Sequence, residues 1–142
     1  MTKSIEAHKV FLVPARVLYG AFLDSKDLSR MLMSPASISP VLGGPFSYFN
    51  GGVTGSITQL DPDSKIQQNW RFAQWEDNVF STLEISFNSL GQERTEMTIR
   101  QSGIPENDKH GNGGQDRLVL SGWNDRFFLG LEKVLGFPVE RD

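Results

Sequence analysis

A chain of 142 residues is the length of one ordinary domain, and 38% hydrophobic with 22% charged residues is the composition of a globular fold. A formal charge of −3, from 14 basic and 17 acidic residues, leaves no electrostatic footprint for nucleic acid or an anionic membrane, so neither is expected as a partner. The absence of Cys removes disulfides, thiolate metal sites and cysteine nucleophiles, and two histidines, His8 and His110, are too few for a three-His centre.

Charged residues in the first nine positions occupy the place where a signal peptide needs an apolar run, and no segment approaches the ~18 apolar residues of a membrane span. The expectation is a soluble, cytoplasmic protein of one domain, residues 1–142. Area scaling has such a chain bury about two-thirds of its surface on folding, enough for one core without staples.

Residues 5–13, IEAHKVFLV, read as a first strand. Pro14 then opens a short helix, with Val17, Leu18, Ala21 and Phe22 at helical spacing, and Ser25 is the expected cap of a second, ended by Ser34-Pro35. From residue 36 the signals turn to β: Gly43-Gly44-Pro45 precedes FSYF, Asn50-Gly51-Gly52 marks a hairpin, and Asp61-Pro62-Asp63 separates VTGSITQL from KIQQNWRF. Two further strands follow. In them Val79, Ser81, Leu83, Ile85 and Phe87 share one face, and Thr95, Met97 and Ile99 alternate with Glu96, Thr98 and Arg100. One apolar and one wet face is the pattern of an antiparallel sheet covered on one side.

Residues 103–114, with four glycines and a proline, read as a flexible loop. The run from Gln115 to Gly136 then reads as a helix of about 20 residues whose buried stripe is Leu120, Trp123, Phe127, Leu131 and Val134 or Leu135. Gly122 and Gly130 each cost about 1 kcal/mol relative to Ala inside it, so close packing is expected at both. The predicted class is α+β: a strand, two short helices, a curved antiparallel sheet of about six strands in all, and a long C-terminal helix covering its apolar face.

Catalytic and metal chemistry find little to build on. Asp61/Asp63 and Glu76/Asp77 sit in predicted turns, and Asp24-Ser25-Lys26-Asp27 lacks the glycine and terminal Glu of a calcium loop. The glycines at 43–44 and 51–55 lie between strands, where neither a phosphate loop nor a dinucleotide fingerprint can form. Glu84, Glu96 and Arg100 point to the wet face and are expected to pair across strands. No nucleophile, base and orienter assemble, so no enzyme activity, cofactor or metal is expected.

The aromatic residues remain: 10 Phe, 3 Trp and 2 Tyr. Trp70 and Phe72 share a strand face and Trp123 and Phe127 a helix face, and together they either fill the core or line a cavity for a small apolar ligand. Trp75, just before Glu76-Asp77-Asn78, is expected at the rim of the sheet.

GGPFSYFNGGVTGSITQLDPDSKIQQNWRFAQW, then Gly103-Ile104-Pro105, then GWNDRFFLGLEKVLGF resemble, in that order, the C-terminal-domain family of the activators of heat shock protein 90 ATPase. The resemblance spans about residues 9–137, with its best markers at Gly43 to Phe46, Trp70 to Trp75, Gly122-Trp123 and Phe127-Phe128. It implies a START-like helix-grip fold and a co-chaperone that binds heat shock protein 90 and favours its closed, ATP-hydrolysing state. Two-domain members add an N-terminal domain with a basic motif, for which 142 residues leave no room. Combined with rim positions read from alternation, it makes Arg71, Trp75 and Arg126 the expected partner-binding residues.

Overall fold

The structure, a computed structural model, describes residues 1–141. Strand β1 (Thr2–Phe11) is followed by helices α1 (Ala15–Ala21) and α2 (Ser25–Leu32), which carry the chain from one edge of the sheet to the other. Six strands then return as a meander: β2 (Ser37–Ile38), β3 (Pro45–Tyr48), β4 (Val53–Asp61), β5 (Lys65–Phe72), β6 (Ser81–Gly91) and β7 (Arg94–Pro105). The seven-stranded order is β1-β7-β6-β5-β4-β3-β2, with every pair antiparallel. The strand beyond the predicted six is β2, two residues long, too short to leave a periodic signal.

Register places the apolar set inside as the alternation predicts. Across β6 and β7, Leu83 faces Gln101, Ile85 faces Ile99 and Phe87 faces Met97, all buried, while Glu84 opposite Arg100 lies on the other side. On that wet face Arg100 pairs with Glu6 of β1 at 2.9 Å and with Glu84 at 3.8 Å. Exposed pairs of this kind contribute at most about 1 kcal/mol.

The C-terminal helix runs from α3 (Gln115–Gly122) through a π-helical turn (Trp123–Phe128) into α4 (Leu129–Lys133). Helical backbone angles persist through both junctions, at Gly122, Trp123, Phe128 and Leu129, so the three pieces form one rod. The π turn departs from the regular helix expected. Its i→i+5 bonding widens the turn, so residues four and five beyond Trp123 share a face, and Phe127 and Phe128 both enter the core. The buried stripe is accordingly Val119, Trp123, Phe127, Phe128 and Leu131, with Leu120 only half-buried.

Three local expectations need correction. Asp24, not Ser25, caps α2: its Oδ1 accepts from the Lys26 and Asp27 amides at 2.8 and 3.0 Å, while the Ser25 hydroxyl accepts from the Ile38 amide at 2.9 Å. Gly130 does mark close packing, since a Cβ there would stand 2.2 Å from the Met31 carbonyl oxygen of α2, but a Cβ on Gly122 would meet nothing within 4 Å. The stretch expected as a flexible loop begins as strand β7 and ends in an organised turn. In that turn the Asp108 carboxylate accepts from the His110 and Asn112 amides at 2.9 Å each, and the Lys109 amide donates to the Gln74 carbonyl at 2.9 Å.

Candidate functional site

The concave face of the sheet, under the helix, is packed with rings. Trp123 stacks on Phe127 with centroids 4.3 Å apart, Phe22 lies 6.2 Å from each, and Tyr48 meets Phe127 edge-on at 5.5 Å. Trp70, Phe72 and Trp75 form a second cluster, with centroids 4.9 to 5.8 Å apart. Of the four residues read as possible cavity lining, Trp70, Trp123 and Phe127 are buried against these neighbours and Phe72 is half-buried at the edge.

A set of polar side chains serves the buried rings, and none of it was foreseen from sequence. Trp123 Nε1 donates to Gln101 Oε1 at 3.1 Å, Gln101 Nε2 to Ser81 Oγ at 2.9 Å, and Ser81 Oγ to the Trp70 carbonyl at 2.8 Å. Gln68 Nε2 donates to the Tyr48 hydroxyl at 3.1 Å, and burial pushes the Tyr48 phenol well above its ordinary range. Among the described residues, Trp70 Nε1 is the one buried side-chain polar atom without a partner. The available signal is chemical: a buried Trp N–H usually finds an acceptor, and glutamine at an inward strand position provides one for Trp123 but not for Trp70.

Trp75 corrects the rim expectation. It is 0% exposed, and its Nε1 donates to Gln115 Oε1 at 2.9 Å. Arg71, half-buried, holds the connection that covers it, with Nη2 donating to the Trp75 carbonyl at 2.6 Å and the Glu76 carbonyl at 3.1 Å, and Nε to the Val79 carbonyl at 3.3 Å. Arg126 is exposed, but its guanidinium sits 4.8 Å over the Phe49 ring and donates to the Leu32 carbonyl at the end of α2. The structure therefore joins Arg71 to Trp75, sets Arg126 apart against Phe49 and Leu32, and gives each of the three a role within the fold.

An open groove of about 430 Å³ lies between the end of β5, the 106–112 turn and the C-terminal helix. Phe72 and Leu118 give it apolar walls, Gly122 lies along its helix side, and the charged residues lining it are Asp108, Asp125 and Arg126. The described residues contain no group of three or more His, Cys, Asp or Glu side chains able to hold a metal ion, and no helix long and apolar enough to cross a membrane.

A curved antiparallel sheet gripping a long C-terminal helix, with two short helices bridging its edges, defines a helix-grip protein of the START-like kind. Within that class, residues 12–136 match the family described as Activator of Hsp90 ATPase homolog 1-like protein, and the chain belongs to that family. The mouse protein named activator of 90 kDa heat shock protein ATPase homolog 1 is 28% identical over 136 residues, 96% of this chain but 38% of the mouse sequence. The chain thus spans well under half the length of such curated relatives. A crystal structure of an HSP90 activator from Plasmodium falciparum superposes with a TM-score of 0.94 at 31% identity, covering 96% of this chain and 99% of that one. CalU16 from Micromonospora echinospora, at 19% identity and a TM-score of 0.70, shares the fold.

Proposed function

We propose that this chain is a co-chaperone domain that binds heat shock protein 90 and modulates its ATPase cycle, working in the cytoplasm. The observation that carries the reading is the near-complete superposition on the Plasmodium falciparum HSP90 activator, whose chain it covers almost end to end. The hydrolysis belongs to the chaperone, and this chain is a regulator and not an enzyme. To stimulate turnover it must bind the closed chaperone more tightly than the open one, since equal affinity shifts no population.

The interior supports recognition over carriage of a small apolar ligand. Trp123, Phe127 and Phe22 occupy one another's contact distance in the space under the helix where such a ligand would sit. The test is chaperone ATP turnover with and without this protein, alongside calorimetric titration in the presence of nucleotide. Faster turnover with saturable binding is expected, and no binding at about 50 μM protein overturns the reading.

A further inference from the structure

Gly122 is a glycine that neither backbone nor packing requires. Its φ of −61° and ψ of −42° suit any residue, and an added Cβ would meet nothing within 4 Å, in contrast to Gly130 on the same rod. Glycine is a poor helix former, and here it precedes the π turn, a kind of irregularity that recurs at functional sites. What the missing side chain does is keep the groove open beside it.

The groove combines apolar walls with two carboxylates and one guanidinium, that of Arg126. Phe72 is half-buried and Leu118 is 55% exposed, so both leave apolar surface unpaired. Asp108 is held in place by the His110 and Asn112 amides on Oδ1 and by Asn112 Nδ2 on Oδ2 at 3.0 Å, and Asp125 Oδ2 accepts from the Ser121 hydroxyl at 3.1 Å. Among the described residues neither carboxylate forms an ion pair. Arg126, the cation nearest in sequence to Asp125, directs its guanidinium to Phe49 and the Leu32 carbonyl instead. Two carboxylates without ion pairs, lining one groove with the apolar surface of Phe72 and Leu118, are complementary to a lysine or arginine side chain, which lays an aliphatic stem on apolar surface and keeps its charge at the tip.

We propose that this groove is a docking site for a lysine or arginine side chain on an apolar-flanked segment of the protein partner. The inference rests on the co-chaperone reading above and names the surface that reading leaves open. A protein segment is the occupant because Leu118, on the groove wall, is 55% exposed, and residues flanking the basic side chain would cover that apolar surface.

The test is calorimetric titration of purified full-length chaperone, with nucleotide, at low and high salt. It compares wild type, the double variant Asp108→Asn/Asp125→Asn, Gly122→Leu and the wet-face control Glu6→Gln, with thermal midpoints checking the fold. The double variant should bind at least about tenfold more weakly and lose most of its salt dependence. Gly122→Leu should bind similarly weakly while melting at or above the wild-type midpoint, a combination that a purely structural role would not produce. Glu6→Gln should bind as wild type. Wild-type binding that neither groove change disturbs overturns the groove alone, whereas no wild-type binding overturns the co-chaperone reading and the groove with it. Chemical-shift changes around Gly122 on adding n-hexylamine, with chaperone affinity unmoved in the groove variants, would assign the slot to a small amine and overturn protein docking.

Discussion

The indole N–H of Trp75 donates to the side-chain oxygen of Gln115 across 2.9 Å, joining residues forty positions apart and sealing the end of β5 to the start of the C-terminal helix. Both residues are buried, so the bond has no solvent substitute. Gln115→Ala should therefore destabilise by about 1–3 kcal/mol, the cost of a buried donor left unpaired. Trp75→Phe removes the same N–H at its own packing cost, so the double variant should lose less stability in urea unfolding than the sum of the two single variants. Strictly additive losses would show that the bond does not carry the effect.

The two helix glycines should respond in opposite directions. Gly130→Ala drives a methyl against the Met31 carbonyl and should cost about 1–3 kcal/mol in equilibrium unfolding. Gly122→Ala adds a methyl in open space at helical angles and should stabilise by up to about 1 kcal/mol. Equal effects of the two substitutions would contradict the packing described.

Arg71 should matter for stability through its guanidinium fork and not its charge alone. It reaches the carbonyls of Trp75, Glu76 and Val79, which a single ammonium cannot do with the same geometry. Arg71→Lys should lower stability by about 1–2 kcal/mol and expose Trp75, read as a red shift and easier quenching of tryptophan fluorescence. An unchanged unfolding midpoint would remove Arg71 from this role.

Acid should destabilise the protein through identifiable carboxylates. The Asn112 amide and side chain hold the Asp108 carboxyl below its ordinary range, and the Arg94 fork does the same for Glu140. A carboxyl whose folded pKa lies below its unfolded one stabilises above the unfolded value and loses that contribution as pH falls through the folded value. Urea midpoints should thus be flat from neutrality down to the ordinary carboxylate range and fall below it. Asp108→Asn should flatten that acid limb, and an unaltered limb would exclude Asp108 from it.

How far the fold could be read from the chain depended on the range of the signal. The alternation at residues 79–87 and 95–99 predicted the inner face of β6 and β7 because side-chain direction in a strand has period two, whatever lies above it. Helical spacing found Trp123, Phe127 and Leu131 in the same way, but it could not foresee the π turn that adds Phe128. The candidate site was read less well. Local polarity puts Trp75 at the rim, yet it is buried and donates to a residue forty positions away, whereas Arg126 is exposed as expected and also donates to a carbonyl ninety-four positions away.

The sequence by itself determined the α+β class, the order of elements, the wet and apolar faces and the family, since each is carried by short-range periodicity or by motifs in register. Only the tertiary structure decided that Trp75 is core, that Gly130 is packed while Gly122 stands open, and that Asp108 and Asp125 share one groove. Those facts depend on which distant segments come within a few ångströms of each other, and no local spacing encodes that.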